Sequence, residues 1–412
     1  MSKFRFSAAD VKAAVRDIRS TLIGNKVVNI YDLGDKTYLF KIAVPGSEKL
    51  FLLLESGVRI HTTKFTRDIP DLPAPFTMKL RKFLRSKRLE DICQVGDDRV
   101  IDMKFGSGAD AYHVILELYS SGNIILTDKD YTVLSLWRSH QFAEDVTLKV
   151  GEVYPMAFTS STLKNTFLLE AIRADFAVQN ITDKTTSVQP EDISSCSNAD
   201  LLRKWAKRKS VENETRSEIM EERAEMSRLE GAGGKHMKKA AKRAARKLTL
   251  KTLLLNPSSG ISWVGPDIID HCVLAAAKKV QLQAQTQGQG KAVKPAMPNM
   301  KLELLMELDD FVLDALMEEL DKCGDMYNQL ETPDQPGYIV LMADSVLPAT
   351  TTSGADATTP TTTAAVQEGE GEVQGPTYKE YVPLLLQQHA DKHYLTFPSF
   401  DAAIDEYYCK VK

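Results

Sequence analysis

An α+β fold is predicted for this chain of 412 residues, with an antiparallel β-sandwich flanked by helices followed by a helix-hairpin-helix domain. Three observations predict it. A capped, apolar-periodic helix opens the chain; short β-branched and aromatic runs follow, joined by turns too brief for parallel crossovers; and a later pair of helical patterns is joined by a Gly-Pro turn.

Ser7-Ala8-Ala9-Asp10, with Val11, Ala14, Val15, Ile18 and Leu22 behind it, reads as a capped amphipathic helix ending at Gly24. Ser-x-x-Asp is a capping pattern, in which the Asp10 carboxylate also complements the helix N-terminus. Strands are expected at 37–44, 50–54, 58–62, 100–105, 112–119, 123–127 and 131–137, where β-branched and aromatic residues cluster between turns such as Gly106-Ser107-Gly108. These elements make a first domain over residues 1–180.

Between two of those runs, Lys79, Arg81, Lys82, Arg85, Lys87 and Arg88 place six cations within ten residues. Phe76, Leu80, Phe83 and Leu84 recur at helical spacing beside them. One stripe of that helix can be buried, leaving the cations for solvent or phosphate. Directly after it, Gln94-Val95-Gly96-Asp97-Asp98-Arg99-Val100 reads as a turn between the basic helix and a β-strand. Adjacent carboxylates entering a strand point to opposite faces, so Asp97 and Asp98 do not suggest acid-base chemistry. An aspartate beside an arginine suits the orienting of a guanidinium toward RNA, or acceptance from a base amino group, and equally suits a local salt bridge in a turn.

Residues 181–247 carry alternating charges and then a basic run, and are expected to be a charged, flexible insertion. From Lys235 to Lys251 there are eight Lys or Arg and no acid, a composition that meets an anion or serves as a nuclear-import signal. Residues 248–331 read as the helix-hairpin-helix domain and a following helix. Pro266 suits the first turn of its second helix, and the backbone N–H groups at Gly265 would be available to a phosphate. Residues 332–412 alternate strand and helix patterns around a low-complexity insert at 349–376, and the last helix reaches Lys412 without a stop signal, as in a chain that ends inside an element.

The composition restricts function further. With 43% hydrophobic residues and a net charge of -4, the chain can build ordinary cores. No window approaches about eighteen uninterrupted apolar residues, and the charged first twenty residues do not read as a signal peptide. Neither membrane nor secretion is expected; a cytoplasmic location is, with nuclear shuttling as an extension. The five cysteines are scattered and odd in number, which suggests reduced, structural thiols. His389 and His393 stand at i, i+4 without a third metal ligand, and no phosphate loop, nucleophile elbow or zinc cluster occurs. No cofactor is expected.

Several of these blocks occur together in one known family. Ser7–Asp10, Asn29-Ile30-Tyr31, Gly57–Thr63, Leu80–Lys82 through Lys87–Leu89, Gln94–Arg99, Gly122–Asp128 and Ser399–Asp401 through Glu406–Tyr408 follow the order found in the NFACT proteins, which the chain resembles. The resemblance implies a first domain similar to the N-terminal domain of formamidopyrimidine DNA glycosylases. It implies a non-catalytic factor of ribosome-associated quality control that binds obstructed large ribosomal subunits and tRNA. Such a factor supports template-free tailing of stalled nascent chains, with peptide bonds made by the ribosome, and recruits a Listerin-type ubiquitin ligase. The family's functional acid falls on Asp10 and its Asp-Arg pair on Asp98 and Arg99, as tRNA-binding residues. Two other classes compete: a nucleic-acid glycosylase or lyase on the same fold, opposed by Ser2 standing where those glycosylases carry their nucleophilic proline after the initiator Met, and an interaction scaffold.

Overall fold

The computed structural model describes residues 3–34, 36–44, 46, 50–65, 69–70, 72–119, 121–143, 146–156, 168–182, 196–229, 248–286, 295–342 and 376–410. The basic run at 235–247 and the low-complexity insert at 349–375 lie outside them.

Helix α1 spans Ala8–Leu22 and starts with the capping box that the sequence suggests: the Ser7 hydroxyl accepts the Asp10 amide, and the Asp10 carboxylate accepts the Ser7 amide. The helix is not a surface amphipathic helix. Every residue from Ala9 to Ile18 is buried, including Lys12, Arg16 and Asp17. Burial on all sides follows from its position among three strands, the short helical turn at 262–264 and the last helix of the chain. Its polar residues must then find partners: Arg16 Nε donates to Asp17 at 2.7 Å, and Asp17 accepts the Asp401 amide at 3.0 Å.

Strands β1 (Lys26–Asp32), β2 (Thr37–Ala43), β3 (Leu50–Glu55) and β4 (Arg59–Thr63) form an antiparallel meander in that order. After helix α2 (Pro75–Leu84), a second meander runs β5 (Leu89–Gln94), β6 (Val100–Phe105), β7 (Tyr112–Glu117), β8 (Asn123–Asp128) and β9 (Val133–Leu136). The two sheets share one core, where Phe40 stacks on Phe105 with ring centroids 6.0 Å apart. Each large side chain fully buried there contributes about 1.5–3 kcal/mol over its exposed state. The outer face of the second sheet holds a smaller core of Val100, Ile115, Ile125 and Tyr154, beside the hairpin β10 (His140–Ala143) and β11 (Val146–Leu148). Where the two sheets meet, their turns touch. Gly122 has φ +72°, and a Cβ there would lie 2.0 Å from the Gly57 nitrogen, so only glycine fits.

Strand β5 corrects the expected surroundings of the acidic-arginine turn. The basic helix stops at Leu84, and Ser86 turns the chain with φ +66°. Leu89 and Ile92 then both turn inward on a strand whose register shifts between Leu89 and Asp91. The Gln94–Val100 segment is therefore a hairpin turn between β5 and β6, separated from the helix by a strand that periodicity hid because its other residues are polar.

Helix α3 (Leu168–Thr182) and the 32-residue α4 (Asn198–Leu229) begin a helical layer. Residues 198–229 fall within the expected flexible insertion, yet Leu202 and Trp205 are fully buried and Trp205 Nε1 donates to Asp175 at 2.9 Å. The buried Leu201, Leu202 and Trp205 are apolar anchors that hold the first turns of a helix whose average character is strongly polar. Beyond it come α5 (Leu250–Leu254), α6 (Pro266–Thr286), α7 (Leu302–Leu305), α8 (Asp310–Asp321) and α9 (Cys323–Gln329), with α8 packed along α6. The chain then returns to the first domain. Strands β12 (Gly337–Leu341), β13 (Tyr378–Val382) and β14 (Tyr394–Phe397) pair in the order β13-β12-β14, and α10 (Phe400–Lys410) docks on α1 and β4. Its anchor is Asp401, which accepts the Thr62 amide at 2.8 Å across 339 positions of sequence.

Candidate RNA-binding cleft

A cleft of about 750 Å³ opens where the N-terminus of α1, the β5–β6 turn, the start of α6 and the segment after β13 converge. Its lining includes Asp10, Arg99 and Gly265, three of the residues singled out from sequence. They come from distant parts of the chain and are brought together by the return of the C-terminal segment.

Asp10 sits at the base and is fully buried. Besides its capping contacts it pairs with Lys3, whose ammonium lies 2.8 Å from one carboxylate oxygen. Burial pushes the Asp10 carboxyl above its ordinary value, and the Lys3 charge and the Ser7 amide pull against that rise. Asp10 is therefore committed to holding residues 3–10 in place, with Lys3 also donating to the Tyr381 carbonyl at 3.3 Å.

The turn is held from beneath by Gln94. Its side-chain amide donates to the Ala8 carbonyl at 3.1 Å and to the Asp98 carbonyl at 2.8 Å, while its oxygen accepts the Tyr327 hydroxyl at 3.4 Å. Asp98 accepts the Arg99 amide through Oδ1 at 2.7 Å and does not line the cleft. Arg99 does, and among the described residues its guanidinium has no hydrogen bond or ion pair. The neighbouring Asp97 lines the cleft instead of Asp98.

Gly265 takes φ +86° between a short turn and α6. Its own N–H is engaged by the Ser262 carbonyl at 3.3 Å, so the amide expected to be open to a phosphate already has an intramolecular acceptor. Its use there is to admit the turn, which places Trp263 in the wall with its ring edge-on to Tyr327 at 5.1 Å. Trp263 Nε1, Asp270 Oδ1 and Gln388 Oε1 are buried without a hydrogen-bond partner, and all three residues line the cleft. Such orphaned groups cost about 1–3 kcal/mol each and mark a surface that gains by meeting a ligand. Sequence reading missed all three. A tryptophan within Ser262-Trp263-Val264-Gly265 was a usable signal, whereas Asp270 and Gln388 gave none.

The lining is mixed in charge. Lys3, Arg5 and Arg99 face Asp10, Asp97, Asp267, Asp270 and Glu380. Bare phosphate alone would meet repulsion, while base edges with amino donors would find acceptors and an aromatic wall. On the far wall burial lowers the His389 imidazole to about 4, so it is neutral and its Nδ1 accepts the Leu386 amide at 3.1 Å. His271 is likewise lowered by burial and accepts the Gln387 amide at 2.7 Å. His271, on α6, thus fastens the C-terminal segment to the cleft wall.

The basic stretch lies elsewhere, since none of its six cations lines the cleft. Arg81 donates to the Ile30 carbonyl at 2.7 Å, Arg88 to the Gly24 carbonyl at 2.6 Å, and Lys87 stands 3.6 Å from Asp110. Lys79, Lys82 and Arg85 are exposed and are the cations most open to solution. The stretch is partly a set of backbone anchors, because Ser86 turns the chain sharply and carbonyls at the crossing need donors.

Comparison with known proteins agrees with this architecture. Residues 7–230, more than half of the chain, match the NFACT N-terminal and middle domains. The chain belongs to the NFACT family. Over all 412 residues it is 29% identical to human ribosome quality control complex subunit NEMF, spanning 28% of that protein's length. A Drosophila melanogaster homolog of that subunit is 46% identical over 155 residues, 37% of this chain and 16% of that protein. The fibrinogen-binding protein of Staphylococcus aureus aligns over 97% of this chain and 98% of its own with 14% identity and a TM-score of 0.42, a likeness too distant to argue from. Among the described residues no helix is long and apolar enough to cross a membrane.

Proposed function

We propose that this chain is the tRNA-engaging part of a ribosome-associated quality control factor, acting on obstructed large ribosomal subunits without catalysing a covalent step itself. The observation that carries the reading is the convergence of Asp10 and an unpaired Arg99 on one cleft with three orphaned polar groups. Family membership and the printed names of its relatives as ribosome quality control subunits support it. In this reading Arg99 stacks on or pairs with RNA, Asp98 holds the turn that presents it, and Asp10 with Lys3 fixes the floor. Lys79, Lys82 and Arg85 steer phosphates on a separate face, with Arg81, Lys87 and Arg88 as supports.

Residues 1–180 then serve as the family's N-terminal domain on the glycosylase-like plan, and residues 248–331 as its helix-hairpin-helix domain. Support for template-free tailing and for recruitment of a Listerin-type ligase, in the cytoplasm, completes the proposed role. The test is tRNA binding by the 412-residue chain with Arg99→Ala. A loss of about 5- to 150-fold in affinity, the equivalent of about 1–3 kcal/mol, at unchanged melting temperature is expected. Unchanged binding would remove the cleft from the tRNA surface.

A further inference from the structure

A second cavity, of about 490 Å³, lies on the other flank of the same turn. We propose that it is a phosphate-binding site, filled by a phosphodiester group of an RNA strand that leaves the cleft across the β5–β6 turn. This rests on the reading of the cleft as an RNA surface.

The cavity is lined by Lys12, Arg16 and Arg19 of α1, by Gln94 and Gly96 of the turn, and by Glu331 beyond α9. Arg16 is only 8% exposed. Its Nε meets Asp17 and its Nη1 the Leu330 carbonyl at 3.1 Å, but Nη2 is buried without a partner. A buried guanidinium with an idle nitrogen is held at a cost that an anionic oxygen would relieve, and its planar fork suits phosphate.

Glu331 indicates where that anion sits. Its carboxylate lies 2.5 Å from Lys12 Nζ, which is almost buried, while the Glu331 side chain is itself 68% exposed. It occupies the cation's open side from a flexible, solvated stem, so an entering phosphate can displace it into water. Of the other acids nearby, Asp17 is committed to Arg16 and the Asp401 amide and Asp91 to Arg19, while Asp334 also lines the cavity and is exposed. With Glu331 and the exposed Asp334 both turned toward water, the charge left without a partner at the cavity is that of Lys12.

Position supports the strand path. Ala8 to Asp10 line the cleft and Lys12 to Ser20 line the second cavity, so one helix serves both. From Asp10 to Arg16 the helix advances about 9 Å, a distance covered by a small number of nucleotides. The turn held by Gln94 is the ridge between the two openings.

Single-stranded oligoribonucleotide and, separately, inorganic phosphate and AMP are titrated into the wild-type chain, Glu331→Gln and Arg16→Lys, with the salt dependence of RNA affinity measured and melting temperatures checked. Glu331→Gln is expected to tighten RNA binding threefold or more, because it removes the competing carboxylate from an exposed position that does not endanger folding. Arg16→Lys is expected to weaken it and reduce the slope of log K against log salt by about one, as for one lost phosphate contact. Tightening of RNA alone assigns the site to the backbone of a strand. If AMP and phosphate tighten equally, the site takes a free phosphomonoester and the strand path is overturned. RNA binding that responds to Arg99→Ala but to neither Glu331→Gln nor Arg16→Lys overturns the proposal and leaves the cleft reading intact. Failure of the wild type to bind RNA overturns both.

Discussion

Replacing Asp10 by Asn tests how much of the cleft floor rests on one ion pair. Capping alone would make the change mild, about 1 kcal/mol or less, since the amide oxygen can still accept from Ser7. The structure calls for more, because Lys3 is only 17% exposed at its side chain and would keep its charge with no carboxylate beside it. Removing one member of a buried pair costs about 3–5 kcal/mol; partial access to water and the Tyr381 carbonyl lower this to about 2–4 kcal/mol. For a domain of this size that is a fall in melting temperature of roughly 5–10 °C. The partner variant Lys3→Met leaves the carboxyl stranded. Because burial already raises Asp10, its carboxyl takes up a proton there, so this variant is nearest wild type at acidic pH and loses stability as pH rises. The double variant should be better than the sum of the two by about 0.5–3 kcal/mol. Thermal melts of the four proteins at pH 5 and 8 make the measurement. A melting temperature of Asp10→Asn within a degree of wild type would refute the argument.

Asp98→Ala should weaken tRNA binding less than Arg99→Ala, because its carboxylate holds the Arg99 amide and does not reach the cleft; equal losses in a filter-binding assay would place both in contact with RNA. Neutralising Lys79, Lys82 and Arg85 together should flatten the salt dependence of RNA binding with little loss of stability, whereas Arg81→Ala should lower the melting temperature through its lost bond to Ile30. Gly122→Ala should destabilise by several kcal/mol, since its Cβ would overlap the Gly57 backbone, and a wild-type denaturation midpoint would contradict that contact. Burial, with Asp17 and Asp405 nearby, raises Asp401 to about 7 against the pull of Thr62. Docking of α10 should therefore be tightest near pH 4 and weaken as pH rises through 7, with Arg59 and His61 of β4 facing that helix against Tyr408. Asp401→Asn should remove most of that dependence in melts taken from pH 5 to 8.

What could be read from the sequence was governed by whether the signal was local. The Ser7–Asp10 cap, the β-branched and aromatic runs of β6 to β8 and the final helix are local patterns, and each lies where its residues suggest. Strand β5 escaped because only Leu89 and Ile92 face inward and the rest of Leu89–Gln94 is polar. The full burial of α1 was equally hidden, because it is imposed by α10 from the far end of the chain. For the cleft, motif residues supplied Asp10, Arg99 and Gly265. The orphaned groups of Asp270 and Gln388 could not be anticipated, since being unpartnered is a property of packing.

The return of α10 to the first domain also sets an order of assembly. Both sheets lie within the first 136 residues, yet one side of α1 stays bare until Phe400 to Lys410 have been made. Gly337, whose Cβ would stand 2.4 Å from the Phe400 Cα, clamps that late helix directly against β12. During synthesis the early core must wait for hundreds of residues, with Phe6 temporarily without the Tyr381 and Phe400 rings that cover it. A nascent chain halted before Phe400 would carry an unfinished cleft and an exposed apolar seam. The protein's own biosynthesis thus passes through the kind of interrupted, sticky intermediate that a cell must clear.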